Sequence, residues 1–202
     1  DTTVYLGLGG GVPIHPLMIN NGSSDNCAIT EMGLSKDLFT CADLGVQEVT
    51  LQVADGSGNI GTCTAQVTVV DPIDPQVSCL DLDVYLDALG QVSITPDDLE
   101  EHSLDNCGII DRSLDHYTFD CDDVGTHAVR LTILTGNGDT ASCISQVTVL
   151  DTIAPSVVAA DLDVALRPMG DLRIDSTDLA DLFYDACGPL TFDTLGFRFD
   201  CT

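Results

Sequence analysis

The chain repeats itself every eighty residues. Asp25-Asn26-Cys27 returns as Asp105-Asn106-Cys107 and as Asp185-Ala186-Cys187, while Phe39-Thr40-Cys41 returns as Phe119-Asp120-Cys121 and Phe199-Asp200-Cys201. Val4, Val84 and Val164 keep the same register without a gap, as do Gly10, Gly90 and Gly170, Gly45 and Gly125, Cys63 and Cys143, Asp71 and Asp151, and Pro75 and Pro155. A fixed period of this length means that one supersecondary unit is copied along a string. The expected bounds are a first repeat over 1–71 without its first strand, a complete second repeat over 72–151, and a third over 152–202 without its C-terminal strands. On this reading the chain is an excerpt of a longer array.

Within each copy, apolar and polar residues alternate in Val49-Thr50-Leu51-Gln52-Val53 and Val67-Thr68-Val69, and again in Val129-Arg130-Leu131-Thr132-Ile133 and Val147-Thr148-Val149. Period-two alternation marks strands with one wet face. Asp55-Gly56-Ser57-Gly58-Asn59 and Thr135-Gly136-Asn137-Gly138-Asp139 lie between them and supply the positive φ of a tight hairpin. Shorter strands are expected at Val84–Leu86 and Val92–Ile94, and Thr95-Pro96-Asp97-Asp98 opens one helical turn. Six or seven short strands per copy describe an all-β fold of tandem immunoglobulin-like β-sandwiches. The proline-stiffened junctions Asp71–Pro75 and Asp151–Pro155 predict an extended rod.

Nine cysteines, none in C-x-x-C spacing, point to disulfides in an oxidising compartment and away from zinc or a thioredoxin-type site. Each copy carries two cysteines fourteen residues apart, so the repeat predicts local Cys27–Cys41, Cys107–Cys121 and Cys187–Cys201 bridges. Of the remaining three, Cys79 and Cys143 flank the second copy and form an expected pair. Cys63 then takes a partner outside the chain, two positions before Asp1. A Cys63–Cys79 bridge across the junction is the competing arrangement.

The net charge is −27, and only four of the 33 acids are glutamate. A surface this acidic repels phosphate backbones, which excludes nucleic acid as a partner. No apolar run is long enough to span a bilayer, and there is no signal-peptide pattern. His15, His102, His116 and His127 occupy positions held in other copies by Thr95, Gly22, Lys36 and Gln47, so the shared design requires no imidazole and no catalytic residues are assigned. Calcium is the expected cofactor, because it takes six to eight oxygens from aspartates and turn carbonyls. One candidate set is Asp71 and Asp74 with Asp81 or Asp83, and another is Asp55 with Asn59.

The run from Val49 to Asp71, with its Asp-x-x-Gly-Asn turn and Thr-Cys-Thr-Ala-x-Val-Thr-Val strand, followed by Pro75 and Cys79, resembles the HYR-type immunoglobulin-like repeat. Ser24–Cys27 and Phe39–Gly45 resemble the version found in large secreted surface proteins of gliding bacteria that use type IX secretion. The resemblance implies adhesion, gliding or extracellular filaments. It also implies O-glycosylation of Asp-Ser/Thr motifs, here at Thr2, Thr140, Thr152, Ser176 and Thr194. The expected function is a non-enzymatic extracellular stalk or filament at the bacterial surface, partnered by further copies of the repeat and by surface glycans or proteins. The alternatives are a ligand-binding immunoglobulin-like module and an accessory domain of a secreted enzyme.

Overall fold

The computed structural model describes residues 1–157, 171–174, 183–187 and 197–200. Strands β1 (Thr2–Tyr5), β2 (Gly11–Pro13), β3 (Ile29–Leu34), β4 (Leu38–Thr40), β5 (Gly45–Asp55) and β6 (Ile60–Val70) come first, with one helical turn, α1 (Pro16–Ile19), after β2. They are followed by β7 (Gln76–Cys79), β8 (Leu82–Tyr85), β9 (Gln91–Ser93), α2 (Pro96–Leu99), β10 (Glu100–Leu104), β11 (Ile109–Leu114), β12 (Thr118–Asp120), β13 (Gly125–Thr135) and β14 (Thr140–Leu150). Short strands β15 (Ser156–Val157), β16 (Asp171–Ile174), β17 (Phe183–Tyr184) and β18 (Phe197–Asp200) pair as β15–β17 and β16–β18.

The first sheet has the order β1-β6-β5-β3, and β2 pairs with β4 in a second, smaller one. β1 runs parallel to β6, with Val4 opposite Val69, while β5 and β6 form a long antiparallel hairpin around the Asp55–Asn59 turn. Valine and threonine dominate these strands because β-branched side chains suit a pleated, half-buried surface. Val49, Val67, Val69 and Val4 from the large sheet pack against Ile14 and Phe39 from the side of the small one, with Leu6 completing the core. Two facing sheets, with the first strand parallel to the last, make an immunoglobulin-like β-sandwich. Each of these aliphatic residues contributes roughly 1.5–3 kcal/mol by leaving water, so many small contacts replace the missing tryptophan.

The sheet β11-β13-β14-β8 has the same strand order. Val84, Leu86, Ile94, Phe119, Val129, Val147 and Val149 are buried, and each stands eighty residues beyond a member of the first core. Facing strands pair as β7–β10 and β9–β12, separated by α2. Thr95 fastens that turn by donating its N–H and Oγ1–H to Asp98 Oδ2, at 2.7 and 2.8 Å.

The chain divides into two compact units. One is Asp1–Leu80 with Leu99–Asp115 and Arg130–Ile144, and the other is Asp81–Asp98 with His116–Val129 and Ser145–Thr202. Among the described residues no helix is long and apolar enough to cross a membrane.

Candidate functional site: the cystine joint

The cysteine pairing differs from the local bridges expected above. Cys41 is bonded to Cys107 and Cys121 to Cys187, each across 66 residues, while Cys79 is bonded to Cys143. The Cys27–Cys41, Cys107–Cys121 and Cys187–Cys201 pairs are therefore corrected, and a Cys63–Cys79 bridge is excluded. Cys27 and Cys63 are exposed free thiols.

Sheet register explains the correction. Cys27 lies two residues before Ile29, which pairs with Asp55 at the far end of β5, whereas Cys41 lies just before Gly45 at the near end. Eleven extended residues separate those ends by roughly 30 Å. A disulfide tolerates Cα atoms only about 7 Å apart. The thirteen residues between the two cysteines run the length of the sandwich and so place one cysteine at each pole. Register is the same beyond Cys107, where Ile109 pairs with Thr135.

Two local devices present the cysteines. At one pole, a 3-10 turn follows each short strand, over Cys41–Asp43 and Cys121–Asp123. It is clamped by Thr40 N–H donating to Asp43 Oδ2 at 2.9 Å and by Asp120 N–H donating to Asp123 Oδ2 at 3.0 Å. Lys36 Nζ bonds Asp43 and, with the Thr40 amide, holds its carboxyl below the usual aspartate range. At the other pole, Asp25, Asp105 and Asp185 each accept a bond from the N–H two residues on, presenting Cys27, Cys107 and Cys187 on equivalent turns at 2.8, 2.8 and 2.7 Å.

Where Cys107 meets Cys41, the joint is built from polar and apolar parts. Cys107 packs against the Val4–Val69 core cluster. Asp71 Oδ1 accepts from Ile73 N–H at 3.1 Å and Asn106 Nδ2 at 3.0 Å, and Asp71 Oδ2 accepts from Asn137 Nδ2 at 3.0 Å. The Cys107 sulfur also touches Asp71 Oδ2 at 3.0 Å, but as half of a disulfide it has no proton to donate. Gly10 is buried, at φ 69°, with the Asn106 carbonyl where its Cβ would be. Gly90, at φ 73°, stands in the same relation to Cys121 and Cys187. The second joint lacks the amide contact because Ala186 stands where Asn106 does; Asp151 accepts from Ile153 N–H at 3.0 Å.

Of the expected calcium ligands, Asp55, Asp71 and Asp81 accept hydrogen bonds from the protein. Asp55 accepts from Ser57 N–H, Asn59 N–H and Asn59 Nδ2 at 2.7–2.8 Å, and these bonds, that from the Asn59 side chain foremost, lower its pKa. Asn59 thus serves as a donor here. Asp81 Oδ1 accepts from Gln146 N–H at 2.8 Å, and Asp74 and Asp83 are exposed. Among the described residues, the one group of three His, Cys, Asp or Glu ligand atoms lying within 4.8 Å of one another is Cys41, Asp71 and Cys107. Two of its atoms are disulfide sulfurs and offer no charge to a metal. Of the glycan acceptors, Thr140 and Thr152 are exposed and Thr2 is half-buried in β1, while Ser176, Thr194 and also Cys201 lie outside the described residues.

Two of the histidines, His127 and His116, stand in for their counterparts in the first copy. His127 Nε2 meets the Asp123 carbonyl at 2.6 Å, as Gln47 Nε2 meets that of Asp43 at 3.0 Å. His116 packs against Phe119 with ring centroids 4.6 Å apart and the planes tilted by 57°, as Lys36 Nζ sits 5.4 Å over Phe39. A groove of about 390 Å³ beside Phe119 contains Asp87 and Asp120. Asp87 accepts from Leu89 and Gln91 N–H, and Asp120 from Asp122 N–H, so both carboxylates cap turns.

No family model matches the chain. No curated protein is similar to it. Among solved structures it is similar to cadherin domains 1–4 of protocadherin gamma B7, at 13% identity over 74% of this chain and 54% of that one, with a TM-score of 0.30. It is also similar to the fibronectin(III)-like modules of Clostridium thermocellum CbhA, at 11% identity over 74% and 90% with a TM-score of 0.29, and to three immunoglobulin domains of titin, at 13% over 87% and 71% with a TM-score of 0.29. The chain thus spans about half the length of the protocadherin structure. At these scores the strand order and the core, not the neighbours, define the fold.

Proposed function

We propose that this chain is an extracellular structural or adhesive segment whose successive copies are linked covalently by cystines and transmit tension. The observation that carries this reading is the recurrence of the joint, Cys41–Cys107 and then Cys121–Cys187, in one register. Disulfides persist in oxidising compartments, which supports a place outside the cell. The sequence resemblance supports the finer reading of a stalk or filament on gliding bacteria, non-enzymatic, with further copies of the repeat as its partners. Bound calcium and O-linked sugar at Thr2, Thr140 and Thr152 belong to this reading; melting with and without a chelator, and intact mass of native material, test them.

The pairing makes a covalent bypass. Tension entering at Cys41 crosses to Cys107, follows the fourteen residues to Cys121, and crosses to Cys187. Residues 42–106 and 122–186 hang outside that path. With both bonds intact, the stretch from 41 to 187 extends to roughly 60 Å even when every sandwich has unfolded, against roughly 500 Å after reduction, at about 3.5 Å per residue. Pulling single molecules with and without reductant tests this. Long extensions without reductant overturn the reading.

A further inference from the structure

We propose that Cys27 is a covalent docking point for another copy of this module, whose Phe-x-Cys cysteine forms a disulfide with it. The inference rests on the joint described above and extends it to a thiol without a partner among the described residues. Cys107 and Cys187 stand eighty and one hundred and sixty residues beyond Cys27, and both are bonded to the cysteine of a Phe-x-Cys sequence 66 residues upstream. Cys27 is the third member of that series and is free and exposed. Its turn already has the bonded form. Asp25 Oδ1 accepts from Cys27 N–H at the same 2.8 Å seen at Cys107, and Ala28 holds φ 109° where Gly108 holds φ 78°. Asn26 precedes it as Asn106 precedes Cys107, and the Asn106 amide bonds Asp71 across the joint. The partner is therefore a second copy, because the complementary half of the joint, a glycine and a Phe-x-Cys cysteine as at Gly10 and Cys41, recurs in every copy.

In a solution of this chain Cys41 and Cys121 are already bonded, so the member of the Phe-x-Cys series that a second copy offers is, by sequence, Cys201, which lies outside the described residues. The bond forms by thiol–disulfide exchange with an oxidised low-molecular-weight disulfide such as oxidised glutathione. One thiol first becomes a mixed disulfide with glutathione. The thiolate of the other attacks it and expels glutathione thiolate, so that two thiols and one oxidised glutathione give one protein disulfide and two reduced glutathiones.

The test incubates the whole chain in a glutathione redox buffer at physiological salt, followed by non-reducing electrophoresis and disulfide mapping. The expected result is a ladder in steps of 21.3 kDa with Cys27 mapped to Cys201; Cys27→Ser collapses it to monomer, and Cys63→Ser leaves it in place. Monomer with Cys27 open to alkylation, a Cys27–Cys63 bridge, or a symmetric Cys27–Cys27 dimer overturns the proposal. The same maps report Cys41–Cys107 and Cys121–Cys187, so loss of the underlying joint is read separately from failure at Cys27.

Discussion

A Cβ on Gly10 would run into the carbonyl oxygen of Asn106 and lie 3.3 Å from the Cys41 sulfur; one on Gly90 would run into Cys121 Sγ and lie 3.2 Å from Cys187 Sγ. Both glycines also hold a left-handed backbone that side chains resist. Gly10→Ala is expected to keep the Cys41–Cys107 bond from closing in a large fraction of molecules, seen as Cys41 alkylated without prior reduction; full closure at the wild-type melting temperature would contradict the steric account. Asp71 is the second residue on which the joint turns, since its carboxylate collects three N–H donors. Asp71→Ala should cost about 1 kcal/mol or more by removing the shared acceptor of three partly buried donors. Exposed Asp74→Ala should stay within about 0.5 kcal/mol, by the same denaturation curve. The Gly10, Gly90 and Gly170 series was legible as a landmark. Its cause was not, because the crowding at Gly10 and Gly90 exists only once the next copy is bonded there, through the Asn106 carbonyl at one and the Cys121–Cys187 sulfurs at the other. Equivalences such as His127 with Gln47 were hidden for a different reason: the shared duty is a bond to a backbone carbonyl, which many side chains can make.

At the scale of elements, alternation and turn chemistry placed the long hairpin strands correctly in kind, though β5, β6, β13 and β14 each run to eleven residues, well past the runs where alternation is clear. In β5 and β6 the extra length keeps pairing where both faces become wet. That length is also why the cystine pairing was misread. In an eighty-residue period, partners fourteen apart within a copy and 66 apart between copies give the same cysteine pattern, and only the distance along β5 separates the two. Three carboxylates that fasten turns and strands of the sandwiches are held in their ionised form. Asp43 is held below its ordinary pKa chiefly by Lys36, Asp98 by the Thr95 amide, and Glu100 by Arg112. A depressed folded pKa means stability that is present above the unfolded value and lost as pH falls through the folded one. Thermal melts from neutral pH downward should therefore hold until the ordinary carboxylate range and drop below about pH 4. A melting temperature that rises steadily into that range would contradict these assignments.

At the scale of the whole molecule, charge and sulfur act in opposite directions. A net charge of −27 repels itself, so the melting temperature should climb with added salt, most steeply at low ionic strength. Each bond closing 66 residues stabilises by about 4 kcal/mol in the chain-entropy model, and reduction should lower the melting temperature more than any single substitution named above. The most direct measurement is proteolysis of the unreduced protein under acidic conditions that prevent exchange, with mass spectrometry of the linked peptides. Joined sandwiches predict that the peptide containing Cys41 carries Cys107 and that containing Cys121 carries Cys187. Recovery of Cys27 linked to Cys41, or of Cys107 linked to Cys121, would mean that each copy closes on itself, and the covalent path between copies would not exist.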